Sequence, residues 1–262
     1  MKLPIYQVDA FTSELFRGNP AAVVPLEKWL DDKTLQNIAA ENNLAETAFF
    51  VKEDDNYNIR WMTPTTEVPL CGHATLASGF VFFNFIEKEL ESVKFMSASG
   101  ELIVERNGDL FTLDFPSNKP KQIEISDTII KCFDKRPLEA LINGFYVLII
   151  FDSEEYVRNF IPNFELLKLV HDHGVIISSK GKEVDFVSRM FAPNDGINED
   201  PVTGSSHTVL VPYWSEKLGK KNFRAHQVSK RGGELFCQDA GERIKISGKA
   251  ALYMKGTIFL SF

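Results

Sequence analysis

Glu199-Asp-Pro-Val-Thr-Gly-Ser-Ser-His207 is the stretch around which the chain is organised. It follows Phe191-Ala-Pro193 and runs into Thr208-Val-Leu-Val-Pro-Tyr-Trp214, an apolar run suited to a helix. An acid, a proline, a glycine and small hydroxyls thus precede a helix start, where unpaired backbone N–H groups favour an anion. The design occurs twice. Arg60-Trp-Met-Thr-Pro64 matches Arg189-Met-Phe-Ala-Pro193, and each proline leads through a loop to Leu70-Cys-Gly-His-Ala-Thr-Leu-Ala77 or Thr203-Gly-Ser-Ser-His-Thr-Val-Leu210. From proline to the key glycine is eight residues in the first copy and eleven in the second. A duplicated strand–loop–helix unit is the simplest account.

Upstream of the first copy, Pro4–Ala10 alternates like a half-buried strand, and Gly18-Asn-Pro20 turns into the strand-like Ala21–Val24. Asp31 caps a helix running to Asn42 with Leu35, Ile38 and Ala39 on one face. Strands follow over 43–51 and from Ile59, separated by polar turn residues at 54–57. After the motif loop 63–73, an almost wholly apolar, hence buried, helix is expected from Ala74 to Phe85. Asn107-Gly-Asp109 turns a hairpin, and Pro116–Pro120 is the candidate linker. The second half restarts with strands Phe145–Phe151 and Gly174–Ser179, with a helix around Phe164–His171 between them. A strand Asp185–Phe191, a helix Thr208–Leu218 and glycine-punctuated strands over 227–262 complete it. The expected fold is α+β: two pseudo-symmetric domains, each a curled mixed or antiparallel sheet around a central apolar helix. They span 1–116 and 121–249, with the last strand, near 250–262, a candidate to return to the first.

Composition excludes several classes. The 262 residues are 44% apolar and 25% charged, enough for two real cores. A net charge of −7 argues against a nucleic-acid face. Cys71, Cys132 and Cys237 cannot all pair and lack metal-site spacing, which favours a reducing compartment. No apolar run approaches membrane-spanning length and no signal core opens the chain, so a cytoplasmic protein is expected.

The residues that could carry chemistry are few. Glu46, in Leu44-Ala-Glu-Thr-Ala-Phe49, is a carboxylate among apolar neighbours; desolvation would raise its pKa toward the range useful for proton transfer, whereas an exposed strand-end glutamate would do nothing. His73 could bind substrate or assist an acid, or merely bond backbone at a helix start. Cys71 reads either as a thiolate or as a small buried residue. Asp200 is a candidate second acid or base, and the Gly204 and Ser205 amides a candidate anion site; plain turn and helix capping by Asp200 and Ser205 is compatible with both. His171-Asp-His173 has no accompanying ligand cluster.

In combination these motifs resemble the PhzF-like (phenazine-biosynthesis-like) isomerase family. The resemblance rests on Val8-Asp-Ala-Phe-Thr12, Phe16-Arg-Gly-Asn-Pro-Ala-Ala-Val-Val24, Asn43-Leu-Ala-Glu-Thr-Ala-Phe49, Cys71-Gly-His-Ala-Thr75, Gly196–Ser205 and Ala225–Gly233, in that order. It implies the diaminopimelate epimerase-like superfold with an active site in the interdomain cleft. It implies Glu46 as the proton-transferring acid/base, with His73 and Asp200 assisting and Gly72, His73, Gly204 and Ser205 binding substrate. It further implies a homodimer with no metal and no organic cofactor. Epimerases of this architecture use two opposed cysteines, and the second motif here has none. The expected activity is therefore movement of a proton within a small anionic, carboxylate-bearing metabolite by a single carboxylate. The alternatives are an amino-acid or hydroxy-amino-acid epimerase or racemase, and a non-catalytic metabolite-binding or interaction protein.

Overall fold

The computed structural model describes residues 1–54 and 56–261; Asp55, in the expected turn, and Phe262, at the end of the expected last strand, lie outside the described residues. The chain forms two compact units, Met1–Asp114 with the chain from Ser247 onward, and Phe115–Ile246.

The first unit contains β1 (Lys2–Ala10), β2 (Asn19–Leu26), α1 (Asp32–Asn42), β3 (Glu46–Glu53), β4 (Asn56–Met62), β5 (Glu67–Val68) and α2 (Gly72–Val81). A π-helical turn, Phe82–Ile86, then leads to β6 (Ser92–Ser97), β7 (Gly100–Asn107) and β8 (Leu110–Pro116). β2 and β3 run parallel, joined by α1, and β4 and β6 run parallel, joined by α2; most other neighbours are antiparallel. Asp31 caps α1 by accepting from the Thr34 N–H, and Leu35, Ile38 and Ala39 face the core as their spacing predicts. α2 buries nearly every side chain, and its Thr75 and Ser78 hydroxyls donate to carbonyls one turn back, so they carry no unmet polarity inside. The helix starts two residues earlier than the apolar run suggests, because Gly72 and His73 form its first turn.

The second unit repeats the plan with β9 (Lys121–Ile123), α3 (Asp127–Cys132), β10 (Glu139–Ile142), β11 (Tyr146–Ile150), α4 (Glu154–Asn159), α5 (Phe164–Leu167), β12 (Gly174–Lys180), β13 (Phe186–Ala192) and β14 (Ile197–Asp200). α6 (Gly204–Leu218), β15 (Asn222–Gln227), β16 (Gly233–Asp239) and β17 (Arg243–Gly248) follow, and β18 (Ala250–Phe259) returns to pair with β1. β11 and β12 are parallel, as are β13 and β15, with helices again making the crossings. The expected helix over 164–171 ends at Leu167, and α6 begins at Gly204 rather than Thr208. The short elements α3, α4, β9 and β10 carry too little periodicity to read. Residues 116–120 are not a free linker: the Ser117 N–H donates to Glu242 O and the Asn118 N–H to Thr208 O.

Registers make the duplication residue-specific. Arg60 forks onto Glu67 at 2.8 and 2.7 Å, and Arg189 forks onto Glu199 at 2.7 and 2.9 Å. In each copy the arginine's strand pairs with the short arm leading to the motif helix: Trp61 lies opposite Val68, and Met190 opposite Asp200. Val68-Pro-Leu-Cys-Gly-His73 therefore superposes in sequence on Asp200-Pro-Val-Thr-Gly-Ser205 without a gap. The three extra residues of the second copy all fall in the hairpin turn, where Pro193–Asp195 form a 3-10 turn.

Candidate active site

In the first unit, β3 and the start of α2 bring Glu46, Cys71 and His73 together. All three are buried. His73 Nε2 lies 3.1 Å from Glu46 Oε2, yet the ring N–H does not point along that line, so the contact is charge–charge rather than a directed hydrogen bond. Both atoms thus keep hydrogen-bonding capacity that a substrate atom could use. On the other ring nitrogen, Nδ1, Cys71 Sγ lies at 3.6 Å and Asn19 Nδ2 at 3.2 Å.

The electrostatics correct one expectation. Burial alone would raise the Glu46 pKa, but the charge of His73, with contacts from His73 and Cys71, outweighs it and holds the carboxyl below its ordinary range. His73 is the mirror case: burial opposes its charged form, but its interactions with Cys71 and Glu46 outweigh burial and raise it well above an ordinary imidazole. Cys71 itself is pushed up to about 11, first by burial and then by Glu46. It is a thiol at neutral pH, so Glu46 is the anion that sustains the imidazolium. The carboxyl is ionised and ready to accept a proton. The helix start does not activate the thiol.

Ligand atoms of Glu46, Cys71 and His73 lie within 4.8 Å of one another, the spacing of a possible metal site. The sulfur, however, meets Nδ1 and the carboxylate meets Nε2. One imidazole nitrogen is thus poorly placed to share an ion with both, and the set suits proton chemistry better than chelation.

In the second unit, Asp200, Gly204 and Ser205 gather at the start of α6. Thr203, not Ser205, occupies the N-cap position, and its hydroxyl donates to Asp200 Oδ2 at 2.5 Å. Gln227 props this loop, accepting from the Thr203 N–H at 2.9 Å and donating to the Asp200 carbonyl at 2.8 Å. Tyr146 OH meets Ser205 Oγ at 2.7 Å, and burial raises the phenol pKa, keeping it a neutral hydrogen-bonding group. Asn19 and Gln227 lie within motifs legible in the sequence, though neither residue stood out there; Tyr146 had no sequence signal.

The chain thus carries a duplicated α+β plan with a buried carboxylate–imidazole–thiol group at one of two equivalent helix starts. The family profile described as phenazine biosynthesis-like protein matches residues 8–256. An uncharacterized isomerase of Pseudomonas aeruginosa is 48% identical, covering 99% of this chain and all of the relative. A crystal structure of a phenazine biosynthesis protein PhzF family member from Enterococcus faecalis superposes with a TM-score of 0.97 at 46% identity, covering 99% of this chain and 100% of that one. A hydroxyproline epimerase from Agrobacterium vitis, 11% identical with a TM-score of 0.62, covering 98% of this chain and 92% of that one, shares the fold alone. The chain belongs to the phenazine biosynthesis-like (PhzF) family and is an isomerase of that family.

Proposed function

We propose that this isomerase moves a proton between two positions of one small, carboxylate-bearing metabolite, with Glu46 as the only base. Glu46 takes a proton from an acidic C–H and becomes a neutral carboxyl. The electron pair left on carbon delocalises into an adjacent conjugated carbonyl system. The same carboxyl then returns the proton at another carbon, restoring itself. His73, cationic beside it, stabilises the carboxylate between turnovers and supplies positive charge to the developing oxyanion. Gly72 and His73 at the start of α2, and separately Gly204 and Ser205 at the start of α6, offer helix-start amides that suit anionic groups. Asp200, held by Thr203, is the candidate acid or base that the second motif contributes.

The observation that carries this reading is the asymmetry of the duplication. Phe49 lies opposite Arg60, and Ile177 lies opposite Arg189, so Glu46 and Gly174 are equivalent positions. The second copy offers no side chain where the first offers its base. Cys71 is likewise matched by Thr203, which argues against a pair of opposed thiols.

The substrate class is tested by incubating the enzyme in deuterium oxide with a panel of small carboxylates bearing acidic C–H bonds, followed by NMR. A substrate whose deuterium enters at one carbon as the double-bond pattern shifts supports the reading. Inversion at a single stereocentre, with no change in bonding, contradicts it.

A further inference from the structure

Asn19 is a buried polar residue that the proton transfer described above leaves unused. It opens β2 directly after Gly18, whose φ is +64° and where a Cβ would lie 2.1 Å from the Ala10 carbonyl oxygen. Only glycine fits that turn, so the backbone delivers Asn19 to a defined place. Ala10 lies opposite Asn19, and two residues on, Ala21 lies opposite Glu46 across the parallel β2–β3 pairing. Asn19 is therefore set beside the strand end that carries Glu46. Its Nδ2 lies 3.2 Å from His73 Nδ1, while Glu46 holds the other ring nitrogen.

We propose that Asn19 is the positioning residue of this site: its amide holds His73 Nδ1, keeps Nε2 within 3.1 Å of Glu46 Oε2, and remains a partner whether His73 is neutral or cationic. The reason lies in the amide itself, which carries a donor NH2 and an acceptor carbonyl on one planar group. A neutral Nδ1 accepts from the NH2; a protonated Nδ1 donates to the carbonyl after a half-turn of the amide. A carboxylate at this position would favour only the cation, and an aliphatic side chain neither form. The groups facing His73 are Glu46 from β3, Cys71 from the lead-in to α2, and Asn19 from β2. Of these only Asn19 does not titrate, so it holds the ring without adding a charge of its own.

The inference rests on the reading of Glu46 and His73 as the reacting pair, but its test needs no substrate. The protonation midpoint of His73 is followed by nitrogen-15 NMR over roughly pH 5 to 11 in wild type, Asn19→Asp and Asn19→Leu, with the wild-type Asn19 side-chain amide followed in parallel. The midpoint is expected to rise by about one unit or more in Asn19→Asp and to fall in Asn19→Leu. Midpoints that match wild type in folded variants overturn the proposal. Where the variants do not fold, the wild type decides: its Asn19 amide protons must shift in step with His73, and amide protons indifferent to that titration overturn it. A His73 midpoint that responds to Asn19 while Glu46→Gln still exchanges protons would sink the functional reading and leave this one standing.

Discussion

Glu46 and Gly174 occupy the same place in the two halves of the chain. Glu46 opens β3 opposite Ala21, and Gly174 opens β12 opposite Tyr146. The Tyr146 ring lies over Gly174, so a Cβ there would stand 2.6 Å from Tyr146 Cδ1 and 2.9 Å from Met190 Cε. Gly174→Ala is therefore expected to overpack the strand and destabilise the protein by about 1–3 kcal/mol, measured by urea unfolding. A neutral effect would mean that the second copy has room for a base after all.

The matched arginines should differ in weight. Arg189 is 9% exposed and also donates to the Phe160 carbonyl at 2.6 Å, whereas Arg60 is 27% exposed and its partners Glu67 and Asp32 are more open still. Arg189→Met leaves Glu199 without its charge partner and is expected to cost about 3–5 kcal/mol. Arg60→Met should cost about 1 kcal/mol or less, because water screens that pair. Equal losses in denaturant midpoints would contradict the assignment.

Stability should depend on pH through three buried groups with separable windows. Glu46 folds with its carboxyl below the ordinary 4.5, so its contribution is complete above 4.5 and is lost as pH falls through the folded value. His73 folds above the ordinary 6.5, so its contribution is complete below 6.5 and is lost as pH rises through the folded value. Between 4.5 and 6.5 their contact is at full strength. His207 acts inside that window: burial lowers it to about 4, so the unfolded chain takes up a proton that the fold refuses. Stability then drops as pH falls from 6.5 toward 4, by up to about 1.4 kcal/mol per pH unit. Urea midpoints across this range should slope less in His207→Gln than in wild type; parallel slopes would refute the assignment.

Tyr146→Phe removes the phenol that meets Ser205 at 2.7 Å. If Ser205 binds the substrate's anionic group, KM should rise several-fold while kcat changes little, since a ground-state contact is lost. A fall in kcat alone would give Tyr146 a part in the chemistry.

The fold was legible wherever a pattern repeats. The Arg–Pro spacing, the two apolar helices and the hairpin at 107–109 each state local physics strongly enough to read. Glu46 and His73 stood out as candidates because they sit in motifs of polar residues among apolar ones. What sequence could not supply was the balance of forces on Glu46. Desolvation is visible in its neighbours, but the imidazole that outweighs it comes from 27 residues downstream and is brought close only by folding. Tyr146 was missed for the same reason: it is an ordinary strand aromatic until the β11–β12 register sets it over Gly174. The gapless match of Val68–His73 to Asp200–Ser205 was not visible in the spacings of eight and eleven residues, because only the strand registers place the three extra residues in the hairpin turn.

The central claim, that one carboxylate carries the proton, is tested most directly by the rate at which Glu46→Gln exchanges the substrate's acidic proton with deuterated solvent. The amide keeps the shape but cannot accept the proton, so exchange should fall by about a thousandfold, within the range for loss of a general base, while circular dichroism and substrate affinity stay close to wild type. Exchange at the wild-type rate would show that Glu46 is not the base.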